Sequence, residues 1–229
     1  MDGAFWSALG AIIVINMVLS GDNAVVIAMA CRNLPVEQRK WGIIWGTAGA
    51  VVFRVVLTFV AAWLLQFPYL QIVGGLLLLY IAIHLLAQDE GEEIEAKNDL
   101  VSAIKTIIFA DVIMSLDNVL GIAAIAGDNF LLLIIGLCVS IPIVVFGATI
   151  VLKLMDRFPI IIWIGAGILG YVAGEMFVKD KATVDFFHSR PALHSVVPFL
   201  GVAVVIVVGY LLRKRHGGEE KEPIAEGEQ

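Results

Sequence analysis

The sequence predicts an all-α protein of a lipid bilayer, with seven membrane-spanning helices arranged as an inverted 3+3 repeat plus one extra C-terminal helix. Three observations lead there. Of 229 residues, 60% are hydrophobic and only 16% charged, and the mean hydropathy of +0.94 is far outside the soluble range. Apolar runs near the ~20 residues that cross a bilayer recur along the chain. Two of these runs contain a polar word at matching places: Asn16-Met17-Val18-Leu19-Ser20-Gly21-Asp22-Asn23 and, 95 residues on, Asp111-Val112-Ile113-Met114-Ser115-Leu116-Asp117-Asn118.

The first run, 8–30, follows a start that lacks the positive segment of a secretory signal, so it is expected to be retained as a spanning helix. It stops at Arg32-Asn33-Leu34-Pro35. The second, 42–65, carries the lone charge Arg54 and ends at Phe67-Pro68. With the third, 69–87, it completes a first unit over 1–88, and an acidic cytoplasmic loop, 89–100, follows. The fourth run, 101–127, holds the second polar word. Gly127-Asp128-Asn129 repeats the letters of Gly21-Asp22-Asn23, but it lies between spans and reads as a turn. The fifth and sixth runs, 130–154 and 159–178, are parted by Phe158-Pro159 and close a second unit over 101–178. An external loop, 179–194, a seventh span, 195–212, and a polar cytoplasmic tail, 213–229, complete the chain.

The duplication extends beyond the polar words. At one offset of 91, Pro68 aligns with Pro159, Gly74 with Gly165, Tyr80 with Tyr171 and His84 with Glu175. A unit with an odd number of spans forces its copy to enter the membrane from the opposite side, which makes the repeat inverted and places a substrate site near the midplane. Helix seven has no counterpart and reads as an addition. Orientation follows from Lys and Arg. With the N-terminus outside, eleven (Arg32, Arg39, Lys40, Lys97, Lys105, Lys153, Arg157, Arg213, Lys214, Arg215, Lys221) fall inside against three outside (Lys179, Lys181, Arg190). The net charge of −6 comes mainly from 89–99 and the tail, and without a basic patch it gives no sign of a nucleic-acid partner. Cys31 and Cys138 show no metal or redox spacing and read as reduced, buried thiols.

The polar words carry the candidate chemistry. On a helix Asn16, Ser20 and Asn23 share one face, as do Asp111, Ser115 and Asn118. Asp22 and Asp117 fall about 120° away, so a break near Ser20-Gly21 would turn Asp22 into this seam; Leu116 replaces Gly21 in the second copy. Hydroxyls and amides can serve as helix–helix glue alone. A carboxylate at the centre of a span costs ~2.5–3.5 kcal/mol, and glue rarely needs one. Carboxylate, amide and hydroxyl oxygens are hard ligands suited to Mn, Mg or Ca, so a divalent cation is the natural substrate. Arg54 is the candidate counter-ion, and His84 and Glu175 are accessory candidates through their repeat equivalence, although both lie nearer helix ends. No covalent chemistry and no cofactor are needed.

The pair Ser20-Gly21-Asp22-Asn23 and Ser115-Leu116-Asp117-Asn118, in a seven-span chain of this size, resembles the TerC family of integral membrane proteins, in particular its small bacterial members. That family is related to the LysE-type exporters. The resemblance covers about 5–212 and implies export of Mn²⁺ across the bacterial cytoplasmic membrane, with Asp22, Asn23, Asp117 and Asn118 binding the metal. Asn16 and Asp111 join them by the repeat alone. The alternatives are an exporter of an amino acid or other small solute, an intramembrane aspartyl protease, and an accessory protein that delivers metal to a membrane partner. The protease reading is thin, since no Gly-x-Gly-Asp precedes either aspartate even though Pro191-Ala192-Leu193 matches a tripeptide of that class. Metal selectivity, coupling ion and homodimerisation are not legible in the sequence.

Overall fold

The protein is described by a computed structural model over residues 6–7, 9–14, 21–88, 96–126 and 129–219. Regular structure among these residues is entirely helical. Residues 9–14 are helical, followed by α1 (Gly21–Cys31), α2 (Val36–Leu64), α3 (Leu70–Ala87), α4 (Ala96–Ala126), α5 (Phe130–Arg157), α6 (Ile160–Lys179), the short α7 (Val184–His188) and α8 (Pro191–Glu219).

Five segments are long and apolar enough to cross a membrane: Val36–Val60, Leu70–Ala87, Ile134–Arg157, Ile160–Lys179 and Pro191–Lys214. They correspond to the second, third, fifth, sixth and seventh expected spans. The fourth is α4, whose 31 residues extend about 46 Å at ~1.5 Å per residue. It runs unbroken through Asp111 to Asn118. The first is described in two pieces, 9–14 and α1; the break expected near Ser20 lies outside the described residues. The segment expected as an external loop contains α7 and the first turn of α8.

Local chemistry sets the boundaries. Pro35 precedes α2 and its carbonyl accepts the N–H groups of Gln38 and Arg39 at 2.8 and 3.1 Å, where a missing proline donor costs nothing. Asn129 caps α5, its side chain accepting from Leu132 N at 3.0 Å, which agrees with the turn expected there. Tyr69, before α3, is left-handed at φ 69°, a strained state for an aromatic residue. It is held by the buried Asp180, whose carboxylate accepts the N–H groups of Tyr69 at 2.9 Å, Gln71 at 3.0 Å, Ile72 at 3.4 Å and Ala182 at 2.7 Å. One carboxylate thus caps α3 from the end of α6.

In the bundle α2 packs on α4 and α5, α1 on α4, α5 and α6, α3 on α4 and α6, and α8 on α6 and α3. Met29, Leu78, Ile107, Met155, Ile162 and Leu169 fill the core. Trp45, Phe59, Trp63, Phe146 and Phe199 project outward, an apolar exterior that suits hydrocarbon. Backbones approach closest between α6 and α8. A Cβ on Gly174 would lie 2.5 Å from Pro198 Cα, and one on Gly170 2.6 Å from the Gly201 carbonyl oxygen. Small residues that let helices touch are the usual means of association in lipid, where the hydrophobic effect does not drive helices together. Helix seven of the sequence is therefore seated in the bundle as α8.

Candidate functional site

The described part of the site is built by α1, α2 and α4. Arg54 sits on α2 and is 4% exposed; Asp111, on α4, is 7% exposed. Arg54 Nη2 donates to Asp111 Oδ1 in a buried ion pair. One turn further along α4, the Ser115 hydroxyl reaches both the Asp111 main-chain carbonyl and, at 3.0 Å, Asp111 Oδ2. Both carboxylate oxygens are therefore engaged. Desolvating two ions costs on the order of several kcal/mol each, recovered only through good geometry and additional hydrogen bonds such as Ser115 provides.

The α1 side is different. Asp22 is partly buried, and its Oδ1 accepts the Asn23 N–H at 2.8 Å. Asn23 is 3% exposed, yet among the described residues neither Oδ1 nor Nδ2 of its amide has a hydrogen-bond partner. Such an orphaned amide is costly and marks a position completed by something else. With two carboxylates, an amide and a hydroxyl, the donor set is oxygen-rich and hard, fitting a divalent cation of the Mg, Ca or Mn kind.

Of the sequence-predicted residues, hydrogen bonds join Arg54, Asp111 and Ser115 across α2 and α4, and Asp22 with Asn23 on α1. Asn16 and Ser20 lie outside the described residues, as do the side chains of Asp117 and Asn118. No group of three or more His, Cys, Asp or Glu side chains suited to one metal occurs among the described residues. His84 and Glu175 stay at helix ends, each engaged with the residue four positions on. His84 Nε2 lies 3.1 Å from Gln88 Nε2, and Glu175 Oε2 accepts from Lys179 Nζ at 2.8 Å. Their equivalence in the repeat reflects this shared end pairing.

Two residues escaped the sequence reading. Thr47 is buried, two turns before Arg54 on the same face of α2, and its hydroxyl has no partner among the described residues. A polar residue at i−7 from the one intramembrane arginine was the available signal. Asp180 was read as part of a loop; its correspondence with Asp89 at the repeat offset of 91 was the available signal there.

These features define a multi-pass helical membrane protein with a charged, hydrogen-bonded centre buried among apolar helices. The chain belongs to the TerC family of integral membrane proteins, whose signature matches residues 1–217. It is 41% identical over 208 residues to the uncharacterized membrane protein YjbE of Bacillus subtilis, covering 90% of this chain and 95% of the relative. Its identity to YceF of the same organism is 26%, covering 96% and 88% of the two chains. With the inner membrane protein YgdQ of Escherichia coli K12 it is 25%, covering 69% and 74%. No solved structure matches the chain.

Proposed function

We propose that the protein exports a divalent cation, Mn²⁺ before others, across a bacterial cytoplasmic membrane by alternating access of two inverted three-helix units, with no covalent step. The observation that carries this reading is the buried amide of Asn23, next to Asp22 and without a hydrogen-bond partner among the described residues, on a helix that packs against the one bearing Asp111. Asp22 and Asp117 supply charge to the cargo, Asn23 and Asn118 supply neutral oxygen, and Asn16 and Asp111 extend the seam.

Packing supports the repeat. Exchanging α1–α3 with α4–α6 turns the α2–α4 contact into α1–α5 and the α1–α6 contact into α3–α4, and all four occur. A residue-level pair obeys the same exchange. Ile107 packs on Gly46, where a Cβ would come within 2.6 Å of it, and Ile12 packs on Gly136 in the same manner. Ile12 and Ile107 are 95 residues apart, the spacing of the polar words. In such folds alternating access is a rocking of one unit against the other.

The test is uptake of Mn²⁺ into inverted vesicles holding the purified protein, with Mg²⁺, Zn²⁺ and Ca²⁺ as competitors. Uptake that depends on the protein and is competed by another divalent cation supports a metal carrier. Absence of uptake for every cation, with the protein folded, removes the reading. A reporter fused after Arg215 should lie on the cytoplasmic side and one near His188 outside; both on one side would remove the proposed orientation.

A further inference from the structure

We propose that Arg54 is a tethered counter-cation of the cargo site: its guanidinium neutralises Asp111 while the site is empty and yields that carboxylate when a divalent cation enters, so Asp111 needs no second ion when the empty carrier crosses back. This role rests on the transport reading above.

Asp111 is closed on both oxygens, by Arg54 and by Ser115, while Asn23 nearby has an amide with no partner among the described residues. The site thus combines a ligand already holding a cation with one still open. A carboxylate that loses its cation in a low-dielectric interior leaves a bare charge, and a carrier must neutralise that charge before it can turn. A guanidinium is suited to this. It is always protonated, less strongly hydrated than an ammonium, and binds carboxylate through a planar fork.

The repeat supplies an internal control against a purely structural role. At the spacing that relates Gly46 to Gly136, Arg54 corresponds to Val144, which packs against the core, and at the spacing of the polar words Asp111 corresponds to Asn16. The second copy of the same helix arrangement therefore does without the pair. Replacing a buried ion pair by neutral groups is often neutral or stabilising, so stability alone gives little reason to retain it.

The experiment uses the full chain in liposomes loaded with Mn²⁺, and compares net efflux into Mn-free buffer with exchange against external radiolabelled Mn²⁺. Exchange keeps the site occupied at every crossing, whereas net efflux requires the empty site to return. Arg54→Met should lower net efflux at least about tenfold and leave exchange within about twofold of wild type, a split that reports on the empty carrier alone. Arg54→Lys, which keeps a cation at the position, should retain more of the net efflux than Arg54→Met. Equal loss of both fluxes, or no change in either, overturns the counter-cation role. If no neutral residue at position 54 gives a folded chain, with or without Asp111→Asn, the pair is structural and the role is overturned. Wild-type protein that shows neither flux overturns the transport reading and this role with it.

Discussion

Asp111 in the second polar word and Asp22 in the first are both carboxylates among apolar helices, but they are bonded differently. Around Asp111 the carboxylate is held on both sides, by Arg54 from α2 and by Ser115 from its own helix, and Leu116 beside it is buried. Around Asp22 the only hydrogen bond described runs from the next residue's N–H, and the amide of Asn23 is bare among the described residues. The Gly46–Ile107 and Gly136–Ile12 contacts are alike, whereas the two carboxylates, at different places in their words, are not. Charge is balanced on the Asp111 side; on the Asn23 side a buried amide has no partner among the described residues.

The largest effect expected from breaking this contrast is on the open side. Asp22→Asn removes an anion without changing shape and should abolish Mn²⁺ export while insertion is unaffected, because a neutral amide is cheaper in lipid than a carboxylate. Asp117→Asn should do the same. The measurement is cytoplasmic Mn content in Mn-challenged cells at matched membrane protein levels, and normal export by both variants would return the polar words to helix glue. On the balanced side the loss should instead be structural. Asp111→Asn strands a buried guanidinium and should cost about 3–5 kcal/mol, read as thermal unfolding in detergent. Asn23→Ala should weaken Mn²⁺ binding yet change stability by less than about 1 kcal/mol, since the amide it removes makes no bond among the described residues. Equal destabilisation by the two changes would erase the difference between the copies.

The shared packing calls for a matched pair. Gly46→Ala and Gly136→Ala should each destabilise by about 1–3 kcal/mol through overpacking, and Ile107→Val and Ile12→Ala respectively should relieve the clash, since Cδ1 of Ile107 and Cγ2 of Ile12 are the atoms in the way. A large cost at one glycine and none at the other would break the repeat. Smallest of all, Asn129→Ala should lose about 1 kcal/mol with the α5 cap and leave transport at the wild-type rate.

Long apolar runs made α2, α3, α5, α6 and α8 readable, because sustained hydropathy survives any detail of packing. Arg54 was readable as a counter-ion for the opposite reason: a lone charge in a span must have a partner. What hydropathy does not encode is close approach. Gly170, Gly174 and Gly201 look like ordinary small residues in a row of letters, yet they seat α8, which sequence repetition alone had made an appendage. The offset of 91 pairs His84 with Glu175, but pairing does not say whether two side chains face a cargo or water. Asp180 was hidden by distance along the chain. Its partner Tyr69 lies 111 residues earlier, and nothing local distinguishes it from any other loop aspartate.

That aspartate has a mechanical consequence. At one end of the bundle the two units are joined by Asp180, which is 1% exposed and grips Tyr69, Gln71 and Ile72 through their main chain. At the opposite end, Arg39 meets Asp156 at 2.7 Å in a solvated pair of a kind worth about 0–1 kcal/mol. In the inward-open half of the proposed rocking, a bundle fastened so unevenly would hinge like a jaw with its fulcrum at Asp180. With α3 18 residues long, or about 27 Å at ~1.5 Å per residue, a tilt of about 10° about that fulcrum would part the far end by about 5 Å. The gape belongs to the Arg39 end.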